Sequence, residues 1–401
     1  MREMRFREIF LFCREGSDLK VLHLSDLHLG KRLNGFSMLE DQEYILEQIL
    51  RITYEEQPQA VIIAGDVYDK AVPPAEAVRL LDDFLVRLSE TGAAVMMISG
   101  NHDSADRLAF GGRLLSRSGV YLSGVYSGQT PPVTLQDEYG PVHFYLLPFI
   151  RPSDVRRFDP EAQTGSYTEA LRSAVEAMSI DSAERNVLAA HQFVTGAVAG
   201  DSEELSVGGL DNVDGAVFDC FDYTALGHIH GPQNIGSERL RYCGTPLKYS
   251  FSEASQTKSV TVVELLEKKP GEKCGIRIST RPLVPLRDLV EIKGLYDELV
   301  SKDFYSKLNT EDYYHVTLTD EEDVLDAMGK MRTIYKNIML LDYDNTRTRS
   351  SGQLSAAADM EQKTPVQLFE EFYEQVNGRA MSQEQQEMSR LMIEKIWEEE
   401  E

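Results

Sequence analysis

No apolar run in this 401-residue chain approaches the roughly 20 residues that a membrane-spanning helix needs. The charged opening segment, MREMRFREIFLFCREGSD, also has no clean apolar core followed by a small-residue cleavage site, as a secretory signal would. We therefore expect a cytoplasmic protein with no membrane partner. Residues 1–18 are interpreted as an N-terminal extension, because the first strand pattern begins at Leu19.

Cysteine is scarce, and no pair of cysteines has C-x-x-C spacing. The four are Cys13, Cys220, Cys243 and Cys274. This spacing predicts a reducing compartment and no disulfide framework. A phosphate-binding loop of the form G-x-x-x-x-G-K-[ST] is also missing from the sequence, so we expect no ATP binding by this chain.

Basic residues are outnumbered, with 41 Lys and Arg against 66 Asp and Glu and a net charge of −25. This charge predicts a low affinity of the chain alone for DNA. It does not exclude DNA as a partner, because bases such as Lys31, Arg107 and Lys248 lie close to the motifs described below. Bound divalent cations would also offset the acidic residues.

Alternating apolar runs and helical patterns from residue 19 to about 275 predict an α/β fold. Met38–Gln57 and Ala75–Glu90 have apolar residues near helical period, and Ser104–Ser118 is predicted as a third helix. Later runs, from HFYLLPF to SVTVVELL, suggest a second sheet stacked on the first. We expect a two-sheet sandwich flanked by helices over residues 19–275.

The rest of the chain consists of three segments that differ in residue pattern. Residues 276–345 read as a small α+β capping domain, and residues 346–363 are polar and without periodicity, as a linker is. Residues 364–401 are predicted to form a pair of helices. Two helices alone cannot bury their apolar side chains. This tail therefore either packs back on the body or, as we favour because of the linker, binds another protein.

Five short strings carry the functional signal, and each stands at or just after the end of an apolar run. They are Asp26-Leu-His28, Gly65-Asp66, Gly100-Asn101-His102-Asp103, His191 and Gly227-His228-Ile-His230. When several strands are each followed by an Asp, Asn or His at the same end, these side chains form a site beyond the edge of the sheet. Their number and residue types predict a two-metal phosphoesterase site.

Two divalent ions about 3.5–4 Å apart activate a water and neutralise phosphoryl oxygens. Asp66 is the candidate bridging ligand. Asp26 and His28 suit one ion, Asn101 and His191 suit the other, and His228 and His230 can divide between them. The predicted ligands are Asp26, His28, Asp66, Asn101, His191, His228 and His230. Such a ligand set favours manganese, with magnesium as the alternative.

His102 is not needed to complete the ligand set, which leaves it free for acid chemistry at the leaving oxygen. Asp69, three residues after Asp66, is a candidate to orient His102 and hold it charged. Asp69 as a plain loop cap is the alternative interpretation. His23, His143 and His315 lie in apolar or alternating stretches and are expected to be structural or surface histidines.

The same motifs, in this order, resemble those of the calcineurin-like metallophosphoesterase superfamily. The strings LHLSDLHLGK, IIAGDVYDKAVPP, ISGNHDS, LGHIH and YCGTPLKYSFSE resemble its SbcD family of bacterial nuclease subunits, over roughly residues 19–400. In the third motif Asp103 stands where protein phosphatases of the superfamily have glutamate. At position 69, archaeal and eukaryotic relatives usually have a second histidine where this chain has Asp69.

The resemblance implies a manganese-dependent DNA nuclease with 3′–5′ exonuclease activity on duplexes and endonuclease activity on single strands and hairpins. It implies a role in DNA repair, recombination and replication. In that role the chain would act in a complex with an SbcC-type coiled-coil ATPase, and that partner would bind the ATP. The tail would bind that coiled coil, and the cap would contact DNA. Met38–Gln57 and Ala75–Glu90 would form the bundle of a homodimer within a heterotetramer.

Two other functions compete with this hypothesis. A small-molecule or cyclic-nucleotide phosphodiesterase would share every ligand but would leave the cap, linker and tail without a purpose. A non-catalytic scaffold between DNA and an ATPase predicts broken ligand positions, and none of the seven is broken.

Overall fold

The structure, a computed structural model, describes residues 11–12, 18–201, 203, 211–346 and 348. Near the C-terminus it describes residues 370, 373, 381–382, 385–386 and 388–389. The predicted extension, linker and helical tail therefore lie almost entirely outside the described residues and stay predictions.

Strands and helices are numbered along the chain. The strands before residue 150 are β1 (Leu11–Phe12), β2 (Leu19–Leu24), β3 (Arg32–Leu33), β4 (Phe36–Ser37), β5 (Ala60–Ala64), β6 (Ala94–Ile98), β7 (Val120–Ser123), β8 (Val133–Asp137) and β9 (Gly140–Leu146). The later strands are β10 (Arg185–His191), β11 (Tyr223–Gly227), β12 (Gln233–Ile235), β13 (Ser237–Tyr242), β14 (Ser259–Leu265), β15 (Ile276–Pro282), β16 (Leu289–Gly294), β17 (Tyr313–Leu318) and β18 (Asn337–Tyr343). The helices are α1 (Leu39–Glu56), α2 (Ala75–Glu90), α3 (Ala105–Leu108), α4 (Gly112–Leu115), α5 (Pro152–Phe158), α6 (Tyr167–Glu176), α7 (Tyr296–Leu299), α8 (Lys302–Tyr305) and α9 (Ala327–Met331).

Two sheets form the centre of the fold. The first has six strands in the order β15-β14-β2-β5-β6-β7, and the second has seven in the order β1-β8-β9-β10-β11-β13-β12. Strands β2, β5, β6 and β7 run parallel, as do β9, β10, β11 and β13. The central strands are continuous apolar runs such as AVIIA and AVMMI, the pattern of parallel strands covered on both faces.

Three apolar clusters hold the layers together. Side chains from both sheets, among them Ile62, Phe144 and Val187, are completely buried in one shared core. Helices α1 and α2 pack on the six-stranded sheet through a second cluster, and α6 packs on the seven-stranded sheet through a third. The sequence of layers is helices, sheet, sheet and helices, which confirms the predicted sandwich.

The chain after β15 forms a three-stranded sheet in the order β16-β17-β18, with short helices between the strands. The described residues divide into two compact units. One contains those up to Ile292 together with Val300–Val316 and Met328–Leu341, and the other contains Lys293–Leu299, Thr317–Ala327 and those from Asp342 onward. Among the described helices, none has the length and apolar character needed to cross a bilayer.

Three sequence expectations need correction. The segment Ser104–Ser118 is not one helix, because Gly111 adopts a left-handed φ of 78° between α3 and α4. The run SVTVVEL does not join the second sheet, because β14 pairs antiparallel with β2 in the first. The strand Ile276–Pro282, placed in the cap, instead pairs with β14 at the sheet edge.

Candidate metal centre

The predicted site residues meet where parallel strands of both sheets end. Asp26 and His28 follow β2, Asp66 follows β5, and Asn101 follows β6. In the other sheet, His191 is the last residue of β10, and His228 and His230 follow β11. Because β2, β5 and β6 are parallel, as are β10 and β11, their carboxyl ends lie at one edge of each sheet.

The backbone at this edge is tightly turned. Four non-glycine residues have left-handed φ values: Asp26 (54°), His28 (44°), Asp66 (47°) and His228 (103°). Non-glycine residues in this region cost on the order of 1–3 kcal/mol each and persist where surrounding structure fixes them. Main-chain hydrogen bonds do so here, since Asp26 N–H donates to Gly65 O (3.0 Å) and His28 N–H to Asp66 O (2.9 Å).

Glycine is required beside the ligands because there is no room for a side chain. A Cβ on Gly65, which has a φ of 86°, would lie 2.4 Å from Nδ1 of His191. A Cβ on Gly100 would lie 2.1 Å from Oδ1 of Asp66. Gly65 of the second motif therefore allows the two sheets to approach, and Gly100 of the third allows the loops after β5 and β6 to approach.

Asp26, His28 and His230 form a first group of metal-binding side chains, all buried. Their ligand atoms lie within 4.8 Å of one another. Nε2 of His28 faces Nε2 of His230 at 3.1 Å. The Asp26 carboxylate also accepts the main-chain N–H of His228 at 3.0 Å, which holds the loop after β11 against the loop after β2.

Asp66, His191 and His228 form a second buried group. Oδ1 of Asn101 lies 3.0 Å from both Nε2 of His191 and Nδ1 of His228, so this amide oxygen completes the group. Nδ1 of His191 donates to Ala64 O at 2.8 Å, which leaves Nε2 facing the carboxylate of Asp66. His230 thus lies with the first group and His228 with the second, a division that the sequence left open.

Asp66 lies between the two groups. Its Oδ2 is 3.3 Å from Nε2 of His191 in the second group and 3.8 Å from Nε2 of His28 in the first. Its Oδ1 accepts the main-chain N–H of His102 at 3.0 Å. One carboxylate oxygen that faces both groups has the position of a bridging ligand.

Burial and charge set unequal pKa values in the site. Burial raises the pKa of Asp26 to about 6, lowers that of His228 to about 3 and lowers that of His28 well below its usual range. Burial opposes ionisation of Asp66 and His191, but their mutual attraction outweighs it. The pKa of Asp66 is therefore held far below its usual range, and that of His191 is raised to about 9.

The residues fit divalent metal ions. Nε2 of His28 and Nε2 of His230, two buried ring nitrogens, face each other at 3.1 Å. Two ring nitrogens at this distance repel each other through their lone pairs unless a proton or a cation lies between them. Carboxylate, imidazole and amide oxygen donors in two adjoining groups match borderline divalent ions, and no thiolate takes part.

His102 lies at the rim of this site, and the role predicted for Asp69 needs correction. Nδ1 of His102 donates to the main-chain O of Asp69 at 3.1 Å, so the carboxylate does not orient the ring. That carboxylate instead pairs with Nζ of Lys31 at 2.8 Å and lies 3.8 Å from Nδ1 of His28. His102 Nε2 faces Asp66 Oδ2 at 3.9 Å, and His28, Asp66 and His102 form a third group able to hold a metal.

Asp103 is a site-supporting residue to which the sequence analysis gave no role. Its carboxylate accepts the main-chain N–H groups of Val67 (3.1 Å), Tyr68 (2.9 Å) and Gly100 (2.9 Å). These bonds join the loop that carries Asp66 to the loop that carries Asn101. The Gly-Asn-His-Asp motif could have pointed to this role, because Asp103 belongs to the motif but not to the predicted set of metal ligands.

The histidines outside the motifs take the places expected of them. His23 is buried between the sheets, where Nδ1 contacts the hydroxyl of Tyr223 (2.9 Å) and Nε2 contacts Leu226 O (3.1 Å). Burial lowers the pKa of His23 to about 3. His143 and His315 belong to none of the three metal-binding groups found among the described residues.

Comparison with known families agrees with this geometry. A family model described as calcineurin-like phosphoesterase matches residues 19–232. A second, SbcD_C, described as type 5 capsule protein repressor C-terminal domain, matches residues 285–377. The chain therefore belongs to the calcineurin-like phosphoesterase family.

Within the family, the chain is a homologue of a nuclease subunit. It is 33% identical over 382 residues to a Staphylococcus epidermidis protein named as the D subunit of the nuclease SbcCD. The match covers 94% of this chain and 98% of that protein. The resemblance to the SbcD family is thereby confirmed.

Two solved structures also show similarity. A dimetal phosphatase from Danio rerio is 12% identical, with 67% of this chain and 98% of that one covered and a TM-score of 0.39. The protein TT1561 of Thermus thermophilus is 11% identical, with 66% and 99% covered and a TM-score of 0.38. These TM-scores are too low to support a statement about this chain.

Proposed function

We propose that this chain is the metal-dependent DNA nuclease subunit of an SbcCD-type complex and acts in the cytoplasm in DNA repair, recombination and replication. The observation that carries the proposal is the convergence of the six other predicted ligands into two groups on either side of Asp66. The relative named as an SbcCD nuclease subunit, matched over 94% of this chain, supports DNA as the substrate.

Each group is proposed to hold one divalent ion, with manganese as the expected ion and magnesium as the alternative. Asp26, His28 and His230 would hold the first and Asn101, His191 and His228 the second, with Asp66 shared. Two such ions supply a reactive water and neutralise charge on the phosphodiester. Around them, the chain fixes the geometry through the strand ends and through the carboxylate of Asp103.

His102 is proposed as the proton donor to the leaving oxygen. Because Nδ1–H is bound to the carbonyl of Asp69, the proton that His102 gains and loses is the one on Nε2. Nε2 is on the side of the ring that faces Asp66, and the side chain is 17% exposed, which leaves it accessible to a substrate. The carboxylate of Asp69 holds Lys31 at the same rim.

The proposed activity is tested by giving the chain three substrates with Mn²⁺. We expect cleavage of single-stranded DNA and 3′–5′ degradation of duplex ends, no hydrolysis of p-nitrophenyl phosphate, and complete loss of activity with EDTA. Hydrolysis of the monoester or of a cyclic nucleotide with DNA left intact would contradict the proposal and favour a small-molecule phosphodiesterase. Binding of DNA without any cleavage would favour a scaffold.

The C-terminal residues are proposed to bind an SbcC-type coiled-coil ATPase, which supplies ATP binding. Deleting residues 352–401 should leave Mn²⁺-dependent cleavage of single strands within about threefold of the full chain, because all proposed ligands precede residue 231. The same deletion should abolish co-purification with the ATPase. Retained co-purification of the shortened chain would contradict this assignment.

A homodimer is the second proposed assembly, and exposed apolar side chains support a surface for it. Phe110 is 86% exposed, Leu114 71% and Val72 70%. A hydrogen bond from Arg107 to Ala71 O (3.1 Å) shows that these segments adjoin. We therefore propose that a second copy covers α3, α4 and the segment before α2. The bundle of Met38–Gln57 and Ala75–Glu90, which the SbcD-family resemblance implies, is the alternative interface.

Phe110→Glu should convert the dimer to a monomer, because a charge at the centre of an apolar contact is left without a partner. Light scattering after gel filtration should give about half the wild-type mass. Leu325→Glu, at an equally exposed leucine (84%), is the matched control and should stay dimeric. A Phe110→Glu dimer, or a wild-type monomer, would place the interface elsewhere or remove it.

The region after β15 is proposed to contact DNA, in keeping with the SbcD-family resemblance. Because Ile276–Pro282 belongs to the six-stranded sheet, the proposed cap begins after Pro282 instead of at residue 276.

A further inference from the structure

We propose that Glu253 is a positioning residue that fixes the ring of His230 with Nε2 toward Asp26 and His28. The inference rests on the proposed metal centre and extends it to a carboxylate outside the seven ligands. Glu253 lies in the loop between β13 and β14, and Oε1 is 3.6 Å from Nδ1 of His230. The other side of that ring faces the first group, since Nε2 is 3.1 Å from Nε2 of His28.

The carboxylate is itself held in place. Its Oε2 accepts from Nζ of Lys258 at 2.5 Å, and Glu253 and Lys258 are 1% and 3% exposed. The same ammonium donates to the main-chain O of His230 at 2.9 Å and to Oε1 of Gln256 at 2.8 Å. Lys258 therefore ties the carboxylate and the main chain of His230 into one rigid unit.

The main chain of His230 is also fixed from its other side. Its N–H donates to Oε1 of Glu203 at 2.8 Å, and its O accepts the N–H of Thr245 at 3.1 Å. With the backbone held in this way, two properties of His230 remain variable. They are the rotation of its ring and the choice of ring nitrogen that carries the proton. A carboxylate at Nδ1 favours a proton there and leaves the lone pair on Nε2 for an ion.

Nδ1 of His28 also faces a carboxylate, that of Asp69 at 3.8 Å, but Asp69 and its partner Lys31 are 13% and 16% exposed, unlike the buried Glu253–Lys258 pair. The Nδ1 atoms of the two remaining histidines face uncharged oxygens. Nδ1 of His191 donates to the carbonyl of Ala64, and Nδ1 of His228 lies against the amide oxygen of Asn101. Among the histidines of the two groups, His230 has the carboxylate that is neutralised by its own buried lysine. A carboxylate behind a metal-binding imidazole fixes the orientation of the ring and its tautomer, so the effect of Glu253 should be confined to the first group.

A purely structural role for the Glu253–Lys258 ion pair makes a different prediction. Breaking a buried pair destabilises a fold wherever it lies. Asp137 and Arg185 form a second buried pair, at the end of β8, and neither residue belongs to a metal-binding group. Asp137→Asn is therefore the matched control, since it removes a buried charge of the same kind away from the site.

The test is Mn²⁺ binding to the full chain, measured by calorimetry and by the electron paramagnetic resonance signal of the coupled ion pair. In Glu253→Gln, the amide can donate to Nδ1 and favour the tautomer whose Nε2 carries a proton. We expect one of two Mn²⁺ ions to bind roughly 10–100-fold more weakly, the coupled signal to give way to that of a single ion, and the other affinity to stay within about threefold. Asp137→Asn should bind both ions as the wild type does.

Wild-type binding of both ions by Glu253→Gln would overturn the inference, as would equal weakening in Glu253→Gln and Asp137→Asn. If Glu253→Gln does not fold, the double variant Glu253→Gln/Lys258→Gln removes both buried charges, and the same selective loss of one ion is expected. A wild-type chain that binds no Mn²⁺ would refute the proposed metal centre itself. Two ions in the wild type with no selective loss in the variants would refute only the role of Glu253.

Discussion

Asp66→Asn is expected to remove both ions and to reduce DNA cleavage by about a thousandfold or more. Oδ2 of Asp66 faces His191 at 3.3 Å and His28 at 3.8 Å, so the two groups share this one negative charge. Asparagine keeps the shape and the acceptor for the N–H of His102, but it lacks the charge that a bridging ligand supplies. Two-metal stabilisation amounts to several kcal/mol, and each step of about 1.4 kcal/mol is about tenfold in rate.

The measurements are Mn²⁺ stoichiometry by equilibrium dialysis and single-turnover cleavage of single-stranded DNA. Asp82→Asn, at an exposed position on α2, is the control and should match the wild type in both. An Asp66→Asn protein that keeps two ions and cleaves DNA at more than a tenth of the wild-type rate would show that Asp66 does not bridge.

His102→Ala is expected to keep both ions and to lose cleavage on the order of a hundredfold or more, the usual contribution of a positioned acid. The ring is oriented by the carbonyl of Asp69, and Nε2 lies 3.9 Å from Oδ2 of Asp66. The competing role is that of a ligand, because His102 also forms a group with His28 and Asp66. Loss of an ion in the alanine variant would establish that second role.

A modified substrate separates the two roles of His102 further. In a DNA substrate with sulfur in place of the leaving oxygen, the leaving group is a thiolate, which needs no proton donor. We expect His102→Ala to cleave this substrate within about tenfold of the wild type, while His143→Ala behaves as the wild type on both substrates. An undiminished defect on the sulfur substrate would argue against acid catalysis by His102.

The sequence predicted those parts of the fold that follow from periodicity. The predicted helices Met38–Gln57 and Ala75–Glu90 correspond to α1 and α2. The runs before the five strings are the parallel strands of two sheets. Strand pairing was predicted less well, because β14 has the same apolar pattern whether it joins one sheet or the other. Only its antiparallel register with β2 places it.

The convergence of the seven proposed ligand residues was predictable because strand ends meet at one edge, but the residues beside them were not. Asp103 and Lys258 stand in loops and Glu253 ends a three-residue 3-10 helix, where acidic and basic residues are common and show no periodic pattern. The carboxylate of Asp69 was predicted to contact His102, but the main-chain oxygen of Asp69 makes that contact. Sequence spacing brings a residue near a partner and does not say which of its atoms makes the contact.

The two-sheet arrangement has a consequence for how the site comes into being. Asp26 and His28 follow a strand of the six-stranded sheet, whereas His230 follows a strand of the seven-stranded one. The residues of the second group also come from both sheets. A fragment that contained either sheet alone would carry part of each group and a complete copy of neither. In the proposed metal centre, the capacity to hold ions therefore arises only when the two layers have docked.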